Sequence, residues 1–283
     1  MKRTSYVLII ICLILIPVDS SGNTVFIGTK DNQVLVGCNE DFTLPLAKFT
    51  FIPPAEGKYG VVYFGFEQAW QQGGLNDQGL YFNWAITSQI ELSVSSDKEL
   101  FQGNIIEKIM QECASVEEAQ AILYKYHHRI FERAQLFIAD KTGQSIIYEG
   151  DAIQRKFETY QIMTNFRQSR VKPGDPRDVR FLLTEQLLIR YPVTVGHFRN
   201  ILSSAHQEFP APTQYSMILD LNQGLIYVYL FHNYENQLLL TLSDEFKKGN
   251  HEYNLENLFP QSFSYTQYKN LWLERARAQT KKK

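Results

Sequence analysis

Cysteine is scarce in this sequence: Cys12, Cys38 and Cys113 are the only three among 283 residues. So few thiols cannot form the disulfide framework that holds a small secreted scaffold together. An excess of one charge is lacking too. Twenty-eight Lys and Arg stand against 30 Asp and Glu, a formal net charge of -2, which leaves no electrostatic footprint for a nucleic-acid partner. No Gly/Ser/Pro-rich linker divides the chain, and no repeat or low-complexity tract appears. No spacing of Cys, His and Asp marks a metal site. His127 and His128 are adjacent and diverge on a helix, and His206 and His232 lie far apart in sequence. No metal and no cofactor are expected.

The rest of the composition is that of a folded domain. Hydrophobic residues make up 44% and aromatics 13%, too apolar for disorder and enough to bury a core without disulfides. The N-terminus has its own grammar. Lys2 and Arg3 precede the apolar run "YVLIIICLILIP", and small residues follow in "VDSSG". This is a secretory signal peptide, its apolar run shorter than the ~20 residues a spanning helix needs. Cleavage after Ser20 or after Gly22 satisfies the small-residue rule. The expected division is therefore residues 1–22 as signal, 23–265 as the domain and 266–283 as a basic, solvated tail ending in "RARAQTKKK". The expected location is outside the cytoplasm, secreted or periplasmic, with membrane anchoring the lesser alternative. Cys12 leaves with the signal. Cys38 and Cys113 could form one bridge, but Cys113 falls in a helical segment and reads as a buried small apolar residue.

Along the chain, "NTVFIG" and "QVLVGC" flank the turn "TKDN" as a hairpin. "AKFTFIPP", "GVVYFGF" and "GLYFNWAI" read as strands separated by "PPAEGKYG" and "QQGGLNDQG". Two helices follow, over "DKELFQGNIIEKIMQECA" and "SVEEAQAILYKYHH", the second opened by a capping box of Ser115 and Glu118. Strands resume at "AQLFIAD", "QSIIYEG", "AIQRKFE" and "YQIMTN". A surface loop "RQSRVKPGDPRDV" leads to a second helical pair, "RDVRFLLTEQLLIRY" and "TVGHFRNILSSAH", with Thr194 as N-cap of the latter. A hairpin through "LNQG" and the strand "QLLLTL" complete the series. Strands, two helices, strands, two helices, strands: the order predicts an α+β fold, a four-layer αββα sandwich in one interleaved domain.

Several blocks in this order resemble one family. "TVFIGTKDNQVLVGCNEDF", "PPAEGKYGVVYFGF", "QGGLNDQGLYF", "YQIMTNFRQSR", "TQYSMILDLNQGLIYVY" and "FHNYEN" are similar to the choloylglycine hydrolases. These are bile salt hydrolases, penicillin V acylases and their relatives among linear amide C–N hydrolases, which have the N-terminal-nucleophile hydrolase fold. The resemblance implies a cysteine at the mature N-terminus whose α-amine serves as base, an oxyanion held by fixed donors, and an acyl-enzyme that water cleaves. Here the nucleophile position is Asn23, whose carboxamide is neither acidic nor appreciably nucleophilic. Cys38 is no obvious substitute: it has no α-amine and stands where bile salt hydrolases carry an arginine beside the thiol.

By the same resemblance Asp41 would orient the N-terminal amine, Asn165 would donate to the oxyanion, and Arg180 would be the active-site arginine, with Arg177 one turn away as its competitor. Cys38, Asn83 and Trp84 would line the ligand site. The strand aromatics Tyr63, Phe64, Phe66, Tyr81, Phe82 and Trp84 itself read first as core, some as walls of an acyl pocket. The expected function is that of a degenerate relative, binding a small N-acyl amide or amphiphile without cysteine-dependent hydrolysis. The alternative is an active amidase using Ser21, exposed by the cut after Ser20, although Ser21 stands two residues before the expected position. Self-association into a homo-oligomer is left open by the sequence.

Overall fold

The turn Asp31–Asn32 closes the first hairpin, with β1 (Thr24–Lys30) antiparallel to β2 (Gln33–Asp41) and Lys30 opposite Gln33. Asp31 takes a φ of 52°, a left-handed conformation that Asp tolerates in tight turns. The structure is a computed structural model that describes residues 22–66, 71–93, 95–156, 158–175, 177–190 and 192–280. The expected signal segment and Ser21 lie outside the described residues.

Strands β3 (Ala47–Ile52), β4 (Val61–Phe66), β5 (Gln71–Asn76) and β6 (Tyr81–Ile86) follow as an antiparallel meander. β5 corrects the sequence reading, which took "QQGGLNDQG" as a connection. Its glycines concealed it: a Cβ on Gly73 would lie 2.7 Å from Asn83 Nδ2, and one on Gly74 2.8 Å from the Val62 carbonyl oxygen. Close backbone approach of the neighbouring strands requires them there.

The first helical pair is shorter than its sequence suggested. After a two-residue strand β7 (Glu99–Leu100), α1 spans only Ile105–Glu112, because Asn104 caps it by accepting from the backbone N–H of Ile106 and Glu107. Helix α2 (Val116–Lys125) has the expected cap: the Glu118 N–H donates to Ser115 Oγ at 3.2 Å, while the Glu118 carboxylate reaches back to the Ala114 N–H at 2.6 Å. The chain continues through β8 (Tyr126–His127), β9 (Ala134–Ala139), β10 (Ser145–Tyr148), β11 (Ile153–Arg155) and β12 (Tyr160–Met163). Helices α3 (Val179–Arg190) and α4 (Val195–Ser204) come next, Thr194 capping the latter. β13 (Thr213–Asp220), β14 (Leu225–Leu230), β15 (Gln237–Thr241), the short α5 (Leu242–Phe246), β16 (His251–Asn254) and α6 (Phe263–Thr280) complete the series.

The strands form a six-stranded sheet ordered β12-β1-β2-β13-β14-β15 and an eight-stranded sheet ordered β11-β10-β9-β6-β5-β4-β3-β16. Their inner faces meet in a core that includes Val25, Val36, Met217, Phe49, Phe64 and Phe137. Helices α1 and α2 cover the outside of the larger sheet, with Ile109, Val116 and Leu123 against Phe82, Leu136 and Ile138. Helices α3 and α4 cover the smaller sheet, with Phe198 and Ile201 against Phe26 and Ile218. Each such buried side chain contributes about 1.5–3 kcal/mol, so alternation along the strands fixes which sheet face looks inward. The αββα order is as expected.

Two further readings are revised by packing. The segment from residue 266 that charge marks as a tail continues helix α6 as far as Thr280, held to the body by Tyr265 and Tyr268, whose hydroxyls donate to the carbonyls of Pro45 (2.5 Å) and Thr43 (2.7 Å). The loop before α3 is not wholly at the surface. Arg167 is buried, donating to the carbonyls of Glu149 (2.5 Å) and Phe131 (2.7 Å). Cys38 and Cys113 both carry free, buried thiols and belong to different core layers. Among the described residues no helix is long and apolar enough to cross a membrane.

Candidate active site

Strand alternation on β2 brings Cys38 and Glu40 to the same inner face, at the end of the hairpin where Asn23 precedes β1. Asn23 is only 5% exposed and Glu40 fully buried. The Asn23 amide nitrogen donates to Glu40 Oε2 (2.7 Å), Asn83 Oδ1 (3.0 Å) and the Trp84 carbonyl (2.9 Å), and its Oδ1 accepts from the Asp41 backbone N–H at 3.3 Å. Both ends of the carboxamide are thus engaged. The other oxygen of Glu40 accepts from Asn83 Nδ2 at 2.5 Å and from the Cys38 thiol at 3.0 Å.

Sequence reasoning missed Glu40 as a site residue. The signal was present: a carboxylate in phase with Cys38 on a strand whose inner face is otherwise apolar. Burial pushes the Glu40 carboxyl above its ordinary value, while hydrogen bonds from Cys38, Asn83 and Asn23 resist. Burial, with Glu40 alongside, pushes the Cys38 thiol well up. Cys38 therefore stays a thiol, unsuited to attack. It is also enclosed and does not line the cavity described below.

A second cluster adjoins the first. A shift of register between Thr213 and Tyr215 sets Thr213 opposite Asp41, and the Thr213 hydroxyl donates to Asp41 Oδ1. Arg180 Nη1 donates to Asp41 Oδ2 at 2.7 Å and to the Gly22 carbonyl oxygen at 3.1 Å. Its Nη2 donates to Asn165 Oδ1 at 3.0 Å and to Asp178 Oδ2 at 2.6 Å. Burial opposes the Arg180 charge, but Asp178 and Asp41 outweigh it and hold the guanidinium above its ordinary value. Burial lifts Asp41, with Arg180 and then Thr213 pulling the other way.

The structure therefore gathers Asn23, Asp41, Asn83, Asn165 and Arg180 at one end of the sandwich. It gives each of them definite partners. Asp41 reaches Asn23 through its backbone N–H, while its carboxylate serves Arg180 and Thr213. The Asn165 amide nitrogen donates to the Ile86 carbonyl at 2.8 Å. Arg177, the competitor, lies 3.9 Å from Glu185 and is 48% exposed in its side chain. Trp84 splits its contribution. Its carbonyl binds Asn23, while its indole points the other way, into the helix-side core and a cavity of about 400 Å³. Gln71, Asn104, Ile105, Ile106, His128 and Ile130 line the rest of that cavity with Gly103. Among the described residues no group of three or more His, Cys, Asp or Glu could hold a metal ion.

Two antiparallel sheets between helical layers form the αββα fold that the N-terminal-nucleophile hydrolases have. Solved structures give the particulars. Penicillin V acylase from Agrobacterium tumefaciens superposes with a TM-score of 0.63 at 17% identity, covering 83% of this chain and 91% of that one. Two variants of the conjugated bile acid hydrolase from Clostridium perfringens superpose at 0.56 and 0.55, both at 17% identity. They cover 85% and 82% of this chain and 97% and 95% of theirs. The resemblance read from the sequence motifs holds at the level of the fold. No protein-family model matches the sequence, and no curated protein matches it.

Proposed function

We propose that this protein is an exported, non-hydrolytic relative of the linear amide hydrolases that binds a small N-acyl amide or similar amphiphile. One observation carries the reading. The motif alignment puts Asn23 where relatives of this fold carry a nucleophile, and its carboxamide is engaged at both ends by Glu40, Asn83, Trp84 and Asp41. A carboxamide offers no thiolate or alkoxide, and acyl transfer needs one. The neighbouring Cys38 thiol is held protonated beside Glu40.

Ligand binding is supported by the cavity at Trp84. Its volume of about 400 Å³ falls in the range of small-molecule sites, and it combines an apolar floor of Trp84, Ile105, Ile106 and Ile130 with polar Gln71, Asn104 and His128 at its margin. An acyl chain on the floor and an amide at the margin would suit this lining. The solved neighbours in which the fold recurs act, by their names, on penicillin V and on conjugated bile acids. Export rests on the N-terminal sequence pattern alone.

The test is an acylation experiment. The unaltered protein should take up no label from an amide-mimicking electrophile. An Asn23→Cys variant whose chain is made to begin at residue 23 should gain labelling. Steady hydrolysis of a simple acyl-amide by the unaltered protein, lost on Ser21→Ala or Cys38→Ala, would overturn the proposal.

A further inference from the structure

Gly22 is buried, although the sequence pattern allows the chain to be cut directly after it. Its carbonyl oxygen accepts from Arg180 Nη1 at 3.1 Å, the same nitrogen that donates to Asp41 at 2.7 Å. The space around its Cα is closed by the same residues. A Cβ built there would lie 2.6 Å from Asn165 Oδ1 and 2.9 Å from Arg180 Nη1, separations that real Cβ atoms do not show. Residue 22 thus fits the Arg180–Asn165 cluster as a guest of matched shape: a carbonyl on the guanidinium and no side chain.

We infer that Gly22 is retained in the functional protein, and that its carbonyl plugs the Arg180–Asn165 site, making the chain its own ligand there. Two physical points support this. Self-cleavage of the Gly22–Asn23 bond would need residue 23 to attack the carbonyl with its own side chain, and a carboxamide bonded at both ends cannot. Removal of Gly22 would also take from Arg180 one of its acceptors in a buried setting, where an unmade hydrogen bond is costly. Of the two cuts the sequence allows, the one after Ser20 keeps Gly22, whereas the one after Gly22 removes it. The plug closes Arg180 and Asn165 to a ligand's carbonyl and leaves the cavity at Trp84 unaffected. Retention of Gly22 stands or falls separately from ligand binding, because the tests below need no ligand for that cavity.

The first measurement is the intact mass and N-terminal sequence of the exported protein. A chain that includes Gly22 is expected, and a chain beginning at Asn23 would overturn the inference. The second is Gly22→Ala. Alanine satisfies the small-residue rule at a cleavage site as well as glycine does. If the cut fell after residue 22, the mature variant and parent would be identical and melt together. With residue 22 retained, the variant should melt about 3–8 °C lower, and Asn165→Ala combined with it should cost less than the sum of the two single changes.

The plug itself is tested with N-acetylglycine as probe. A chain made to begin at Asn23 behind a cleavable fusion should rise in Tm with millimolar probe, and the chain retaining Gly22 should not. Equal responses, or none in either chain, would overturn the plug.

Discussion

The Asn23 amide nitrogen lies 2.7 Å from Glu40 Oε2, a neutral donor set against a carboxylate with no exposure to solvent. Among the described residues Glu40 has no cation as a hydrogen-bond partner; its two oxygens accept from Asn23, Asn83 and the Cys38 thiol. Hydrogen bonds to a charged group are worth more than neutral ones, and a buried carboxylate missing one loses more than the bond itself. Asn23 is therefore a structural residue, holding a buried acid at the head of the first strand.

The first prediction follows directly. Asn23→Ala should destabilise the protein by roughly 2–4 kcal/mol, because Glu40 loses a donor and Asn83 and Trp84 lose theirs. Asn23→Asp should cost more at neutral pH than at pH 5, since it sets a second carboxylate against Glu40. Chemical denaturation at the two pH values measures both.

Arg180 makes the second. Its side chain is 15% exposed and that of its partner Asp41 is fully buried. Arg180→Ala leaves that carboxylate buried with only Thr213 as side-chain donor, and should cost about 3–5 kcal/mol. Arg180→Lys keeps the charge but cannot reach Asp41, Asn165, Asp178 and Gly22 together, so it should recover only part of the loss. Arg177→Ala, at an exposed position, should change stability by less than about 0.5 kcal/mol.

A third concerns pH. His206 and His232, distant in sequence, have ring centroids 4.5 Å apart, and the His232 Nε2 has no partner among the described residues. Burial, then the neighbouring His206, pushes His232 down to about 4, against an ordinary value of 6.5. The unfolded chain thus binds a proton between those values that the folded one refuses. Stability falls as pH drops from 6.5 toward 4, by about 1–2 kcal/mol after allowance for partial solvent screening. His232→Asn, which tolerates the φ of 60° at this position, should flatten that limb of a Tm-against-pH curve.

Glycine on β5 supplies the fourth. Gly73 pairs with Asn83, and a Cβ there would lie 2.7 Å from Asn83 Nδ2 and 3.1 Å from the Phe82 carbonyl. Gly73→Ala should displace the Asn83 amide from Glu40 and cost about 1–3 kcal/mol. A thermal shift, read beside that of the Asn83→Ala variant, should show the two losses to be less than additive.

Ligand binding gives the fifth. Quenching of tryptophan fluorescence by a medium-chain N-acyl amide is expected for the parent protein and should be lost in Trp84→Ala, while His128→Gln should weaken it. Unchanged affinity in Trp84→Ala would move the ligand away from this cavity.

Much of the fold was legible because apolar periodicity is a local signal. The hairpin at Asp31–Asn32, the Ser115 cap and the second helical pair each depend on residues a few positions apart. β5 was not legible, since Gly73 and Gly74 signify a turn in sequence and a close strand approach in space. Helix α6 was missed for a related reason: it carries little amphipathic pattern, and what holds it is two tyrosine hydroxyls on the carbonyls of Pro45 and Thr43.

The site divides in the same way. The sequence by itself settled that a carboxamide, and no sulfur, stands at the head of the first strand, because identity at one position needs no coordinates. It also placed Asp41, Asn165 and Arg180 as candidates through their surrounding motifs. Only the tertiary structure decided their partners: hairpin register sets Asn23 against Asp41 across 18 positions of chain, the stacking of the two sheets sets it against Asn83 across 60, and the packing of α3 on the smaller sheet brings Arg180 to Asp41 across 139. Hairpin register brought Glu40 to Asn23, sheet stacking turned the Asn165 amide nitrogen to Ile86, and helix packing laid Arg180 on the Gly22 carbonyl, none of which a local sequence pattern encodes.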